Sequence, residues 1–166
     1  MAQLAAPRGG AAAGVLLAAL LAAPFALASS AATGAQLPRA PKCILTGKWT
    51  NELNSNMTIF PVNLSSGMFT GSYLTAVTSS NRRIRKSPMH GSQQLLKGNG
   101  RFQPTFGFTV KWEFTESITV FVGQCFLDED GRETLETMWL LRSKGESHGD
   151  NWKQTLVGTN TFRRLP

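Results

Sequence analysis

The side chains able to do chemistry are few, and their spacing does not suit catalysis. The chain has 166 residues with two cysteines and two histidines. His90 and His148 stand alone in loop-like text, with no second ligand at metal-binding spacing, and read as solvated residues. Asp128-Glu129-Asp130-Gly131 opens like a calcium loop but lacks the later ligands, so it reads as a charged hairpin. No nucleophile has a base at a recognised spacing. The expectation is therefore a protein that is not an enzyme, with no catalytic residues, no metal and no cofactor.

Two features could bind rather than catalyse. Arg82-Arg83-Ile84-Arg85-Lys86 is a basic cluster in a chain of 17 Lys+Arg against 10 Asp+Glu, net +7. Such a cluster could touch a polyanion. The plainer reading is a charged strand edge that discourages sheet-to-sheet pairing. The second feature is a set of aromatic and hydroxyl residues on alternating positions, discussed below.

The two cysteines take their meaning from the N-terminus. Residues 1–41 contain no acid and two cations, Arg8 and Arg39. Ala11–Ala28 is almost wholly apolar, and Ala26-Leu27-Ala28 has the small-x-small form that signal peptidase accepts. Residues 1–28 read as a secretory signal peptide, cut somewhere between Ala28 and Ala40. The run is alanine-rich and interrupted by Gly14 and Pro24, which makes it a poor membrane span. Losing Arg8 with the leader leaves the mature chain at +6. A secreted, extracellular chain meets an oxidising compartment, where Cys43 and Cys125 are expected to form one disulfide, the alternative being two buried thiols. Closing a loop of 82 positions is worth roughly 4–5 kcal/mol by chain entropy. Asn56-Met57-Thr58 and Asn63-Leu64-Ser65 are sequons, making Asn56 and Asn63 candidate glycan sites.

From Lys42 onward the pattern is β. Period-two runs place strands near 44–50, 56–62, 68–77, 84–96, 103–114, 117–128, 134–143 and 152–164. Turn residues separate them, Asp130-Gly131 being the sharpest hairpin signal. Eight strands with short turns predict an all-β domain over 42–166, an up-and-down antiparallel barrel. Pro88 and Gly91 make 84–96 the least regular strand, with an edge-like character.

Alternation assigns faces. Phe106, Phe108, Val110, Trp112 and Phe114 share one side of 105–114, with polar residues opposite. In 117–126 and 135–141 both sides are apolar: Ile118, Val120 and Val122 oppose Thr119 and Phe121, and Met138 and Leu140 oppose Leu135, Trp139 and Leu141. An exposed barrel wall should be polar. Two adjacent strands breaking that rule predict a covered outer wall, most economically covered by another copy of the same sheet. The inward positions mix Tyr73, Thr75, Trp112, Phe114, Ser117, Thr119, Phe121 and Trp139. Aromatic walls with a few fixed polar groups describe a ligand pocket as well as they describe a core with bonded hydroxyls.

Longer blocks then become recognisable. KCILTGKWTN at 42–51, SNMTI at 55–59, QPTFGFTVKWEF at 103–114, TVFVGQCF at 119–126 and TMWLLRS at 137–143 occur in the order found in the avidin/streptavidin family of biotin-binding proteins, which the chain resembles from Lys42 nearly to its end. The resemblance implies a barrel assembling as a homotetramer and binding biotin without catalysis. It implies that Asn51, Ser55 and Tyr73 donate to the ureido oxygen, Thr75 and Asn160 accept from the ureido N–H groups, and Thr119 faces the thioether sulfur. Trp112, Phe114, Phe121, Trp139 and Leu141 would line the ring, and Thr78, Ser79, Ser80, Thr115 and Ser117 would hold the valeryl carboxylate. Trp152 would reach into a neighbouring subunit's pocket.

The chain departs from the family pattern in a residue added around 63–67 and a longer hairpin at 95–102. It also carries Thr115 where a serine is usual, and Thr159 at an interface position usually apolar. No nucleic acid is expected as a partner, nor any membrane after signal cleavage. Biotin sequestration, with antimicrobial action by depletion, is the leading expectation. The alternative is a basic secreted barrel acting mainly on polyanionic surfaces, with a weak or altered pocket.

Overall fold

The computed structural model describes residues 42–95, 97, 98 and 100–166. The expected signal peptide and its cleavage region lie outside the described residues. Eight antiparallel strands form a closed barrel in sequence order: β1 (Gly47–Asn51), β2 (Asn56–Ile59), β3 (Met68–Leu74), β4 (Ser87–Gln93), β5 (Thr105–Lys111), β6 (Ser117–Leu127), β7 (Glu133–Ser143) and β8 (Thr155–Arg164). The ring closes where Trp49, Thr50 and Asn51 of β1 pair with Arg164, Arg163 and Phe162 of β8.

Register sorts the inward residues along the barrel axis. At one end Leu45, Trp49, Met57, Phe69, Phe106, Leu135 and Phe162 are buried and fill the interior. One to three inward positions further along each strand, the residues change to Asn51, Tyr73, Trp112, Thr119 and Asn160. An eight-stranded barrel is just wide enough for side chains to fill or for one small ligand; here half is filled and half is left open.

The closed end is tied down. Cys43 N–H donates to the Phe102 carbonyl at 2.7 Å, and Cys43 is disulfide-bonded to Cys125 of β6 with Cα atoms 6.0 Å apart. Glu133 lies beside this pair, but both sulfurs are committed to each other and not to an ion. The Arg164 guanidinium stacks 4.2 Å from the centroid of the Trp49 ring and pairs with Glu133. Trp49 Nε1 donates to the Leu45 carbonyl at 2.8 Å, so this buried indole is satisfied.

Three local expectations are corrected. The strand around Pro88 is not an edge: β4 is paired on both sides. Gln93 N–H bonds Gly67 of the β3 side, and Gln94 N–H bonds Thr105 of the β5 side, so even-numbered amides face β5. Pro88 is even-numbered, and the β4–β5 ladder begins only at Met89. The nitrogen without a hydrogen therefore points past the end of the ladder, where nothing is lost. His90 is exposed but sits within β4, not in a loop. The segment expected to open the last strand at 152 is instead a 3₁₀ helix, His148–Lys153, braced by an Asp150–Lys153 ion pair and by Ser147 Oγ donating to Asp150 at 2.8 Å. The Asp130-Gly131 hairpin forms as expected, with Gly131 at φ +76° and Arg132 paired to Asp128.

The outer wall of β6, β7 and β8 is apolar and open. Cross-strand rows run Val120–Leu140–Val157 and Val122–Met138–Thr159. Met138 is 64% exposed and Val157 72%.

Candidate ligand-binding site

The open half of the barrel is a cavity of about 390 Å³. Sixteen of the seventeen residues singled out from the sequence line it: Asn51, Ser55, Tyr73, Thr75, Thr78, Ser79, Ser80, Trp112, Phe114, Thr115, Ser117, Thr119, Phe121, Trp139, Leu141 and Asn160. The remaining one, Trp152, is 82% exposed on the 3₁₀ helix and does not reach the cavity of its own chain.

Most polar groups on the cavity floor have a partner behind them that settles what they can offer in front. Asn51 Oδ1 accepts the backbone N–H of Leu53 at 3.1 Å and of Ser55 at 2.8 Å. Its oxygen is thereby turned into the β1–β2 turn, and Nδ2 is left facing in as a donor, 3.5 Å from the Tyr73 hydroxyl. Ser55 Oγ accepts Ala76 N–H at 3.0 Å and keeps its own hydrogen to donate, its protein acceptor being Thr75 Oγ1 at 3.5 Å. Thr75 Oγ1 donates to the Val77 carbonyl at 2.7 Å, so toward the cavity it has only lone pairs. Burial pushes the Tyr73 phenol far above its ordinary value, although Ser55 partly opposes the shift, so it remains an O–H donor.

The aromatic walls are packed edge to face and face to face. Tyr73 meets Trp112 edge-on with centroids 5.6 Å apart and stacks on Phe121 at 5.7 Å. Trp112 meets Phe114 at 5.8 Å. Trp112 Nε1 donates to Thr119 Oγ1 at 2.8 Å, fixing the indole plane and leaving the Thr119 hydrogen to point elsewhere. Trp139 is the cross-strand partner of Phe121, and its ring lies close to the backbone of its other partner, Gly158 on β8. A Cβ at Gly158 would come 2.4 Å from the Trp139 ring.

The mouth is made differently. Thr78 Oγ1 accepts Ser80 N–H at 3.0 Å, and Ser80 Oγ accepts Arg82 N–H at 3.1 Å, so the loop's hydroxyls hold the loop itself. Thr115 and Ser117 share one hydrogen bond at 2.5 Å, which leaves one hydroxyl hydrogen of the two unspent. Arg82, Glu116, Lys144 and Glu146 also line the rim. Lys144 and Glu116 pair at 3.0 Å, and Arg82 makes no ion pair among the described residues.

Sequence reasoning did not find Gly158 or Glu52, and it placed Arg82 in a basic cluster and not at the rim of this cavity. Glu52 follows β1, is exposed, and accepts from Thr161 N–H at 3.0 Å and from Asn160 Nδ2. Parity could not reach it, because it lies in a turn and its partner is 108 positions away. Gly158 carried a faint signal, as a glycine interrupting the β-rich text of β8.

Comparison with known proteins agrees with this architecture. A model of the avidin family matches residues 39–165. Avidin of Gallus gallus is 61% identical over 126 residues, covering 76% of this chain and 81% of the relative. Avidin-related protein 4/5 of Gallus gallus is 56% identical over 126 residues, covering the same shares of the two chains. The solved structure of a biotin binding protein from chicken superposes with a TM-score of 0.70 at 55% identity, covering 74% of this chain and 98% of that one. Xenavidin superposes with a TM-score of 0.69 at 54% identity, covering 75% and 99%. With a family match across nearly the whole described chain and a closed eight-stranded barrel to go with it, the chain belongs to the avidin family.

Proposed function

We propose that the chain is a non-catalytic biotin-binding protein. The observation that carries this reading is the sorted polarity of the cavity floor. Asn51 Nδ2, the Ser55 hydroxyl and the protonated Tyr73 hydroxyl are donors, while Thr75 Oγ1 offers lone pairs. A cyclic urea presents one strong acceptor flanked by two N–H donors, the complement of that set. Three donors on one carbonyl favour partial negative charge on its oxygen, the arrangement that an oxyanion hole uses for a transition state. Thr119, with its oxygen already accepting from Trp112, has a hydrogen to offer a soft acceptor such as a thioether sulfur. Trp112, Phe114, Phe121, Trp139 and Leu141 enclose the apolar ring. Thr115, Ser117 and the 78–80 segment receive a carboxylate at the mouth.

The same proposal includes a homotetramer. The bare Val120–Leu140–Val157 wall supports it, because exposed apolar surface of this kind marks an interaction site. Trp152 then closes the pocket of a neighbouring copy, which makes assembly and tight binding one linked property. At that interface Thr159 places a hydroxyl that costs on the order of 1–3 kcal/mol if left without a partner. Secretion, glycans on the exposed Asn56 and Asn63, and antimicrobial action by biotin depletion complete the proposal.

Adding biotin to the purified protein is expected to quench tryptophan fluorescence and raise the melting temperature. Unchanged fluorescence together with an unmoved melting temperature rules the reading out. A monomeric sedimentation profile at micromolar concentration rules out the tetramer alone, and growth inhibition that persists in excess biotin rules out depletion.

A further inference from the structure

Two asparagines line the cavity floor, both buried, and nothing about the residue type says which end of the amide each presents. For Asn51 the backbone decides, since two N–H donors claim its oxygen. Asn160 has a different neighbour. Its backbone carbonyl accepts from Thr137 Oγ1 at 2.8 Å, which anchors its place in β8, and its side-chain nitrogen meets Glu52. A carboxylate only accepts, so the amide atom facing Glu52 must be the NH₂. Oδ1 is then on the cavity side, where it has no protein partner among the described residues.

We infer that Glu52 is a positioning residue. From outside the cavity it fixes Asn160 with its acceptor inward, and so determines that the site takes a ligand N–H at that point. The carboxylate is itself aimed by Thr161 N–H on its second oxygen at 3.0 Å. Donation from Nδ2 to a charged acceptor also drives electron density onto Oδ1, strengthening the bond it accepts. This inference rests on the biotin reading for the identity of the N–H, but the orientation of the amide does not.

The arrangement makes an unusual forecast for Glu52→Gln. Thr161 N–H has only a hydrogen to give, so the glutamine oxygen turns to it and the glutamine NH₂ faces Asn160. Asn160 then relaxes by flipping, which puts its own NH₂ into the cavity against the ligand N–H. Glu52→Ala removes the constraint without reversing it. Biotin dissociation constants are expected to rise on the order of tenfold in Glu52→Ala and up to a hundredfold in Glu52→Gln. In the double variant Glu52→Gln, Asn160→Asp, the glutamine NH₂ meets a carboxylate that accepts on both sides, and affinity is expected to recover by about tenfold over Glu52→Gln alone.

A merely structural role for Glu52 would instead lower the ligand-free melting temperature in step with affinity, rank Ala at or above Gln in severity, and give no rescue; any of these overturns the inference. The ligand-free protein supplies an independent reading. In NMR hydrogen exchange, the Asn160 side-chain amide protons should be slow in the native chain and fast in Glu52→Ala. Slow exchange with no biotin binding in the native chain sinks the biotin reading while upholding the positioning. Fast exchange in the native chain overturns the positioning whatever biotin does.

Discussion

The floor and the mouth of one cavity are built on opposite terms. At the floor, Asn51, Ser55, Tyr73, Thr119 and Asn160 are buried, and all but Tyr73 are held from behind so that one kind of group faces in. At the mouth, Thr78, Ser79 and Arg82 are exposed, and the hydroxyls of Thr78 and Ser80 serve their own loop. A buried polar group left unpaired costs far more than an exposed one, because water can replace a partner at the surface. The floor should therefore discriminate between ligands, while the mouth tolerates differences in what is attached.

The largest effect that can test this contrast lies in the aromatic wall of the floor. Trp112→Ala removes the indole and the donor that orients Thr119, and is expected to weaken the biotin complex by about 3–5 kcal/mol, read by competition binding. A loss under 1 kcal/mol would mean that the wall does not touch the ligand. Tyr73→Phe deletes one donor and keeps the ring, with an expected loss of about 1–3 kcal/mol and little change in the ligand-free melting temperature. Gly158→Ala drives Trp139 off the strand it lies against, and should cost on the order of 1–3 kcal/mol of stability as an overpacked site. At the mouth, Thr78→Ala should cost less than about 1 kcal/mol. If it exceeds Tyr73→Phe, the contrast between the two ends is wrong.

The floor also makes a pH prediction that can be read cleanly, because Tyr73 is the only tyrosine in the chain. Its native phenol value is raised from 10.0, chiefly by burial. The stability it contributes is full below about 10 and is lost as pH climbs from there through the raised native value. Tyrosinate absorbance should therefore stay absent through pH 10 in the folded protein and appear only on further alkalinisation or unfolding. A midpoint near 10 with the fold intact would put the phenol in contact with water. On the acid side, burial pulls the Glu52 carboxyl upward, but the hydrogen bonds from Asn160 and from backbone amides outweigh it and hold the group below its usual range. Its hold on Asn160 should accordingly persist as pH falls through the ordinary carboxylate range and fail only beneath it.

Much of this was written in the alternation. Strand β5 shows its two faces plainly, since its large residues fall on one parity, and that parity placed Trp112 and Phe114 inward. The doubly apolar β6 and β7 likewise pointed to an apolar outer wall. Pro88 misled because a proline is read as an edge signal, whereas here its nitrogen happens to lie beyond the end of one ladder. The expected start of the last strand at 152 misled because the ion pair and hydroxyl contact that curl His148–Lys153 are local contacts with no periodic signature. Glu52 was invisible because its role exists only once β8 closes against β1. Individual roles in biotin contact came from family resemblance, since parity names a face and not a ligand.

The most direct test of the central claim is calorimetric titration of the purified protein with biotin. The account predicts a strong exothermic isotherm saturating at one biotin per chain, with a negative heat-capacity change from burial of apolar surface. A flat titration, with no heat at any temperature tried and no biotin retained after gel filtration, would contradict it.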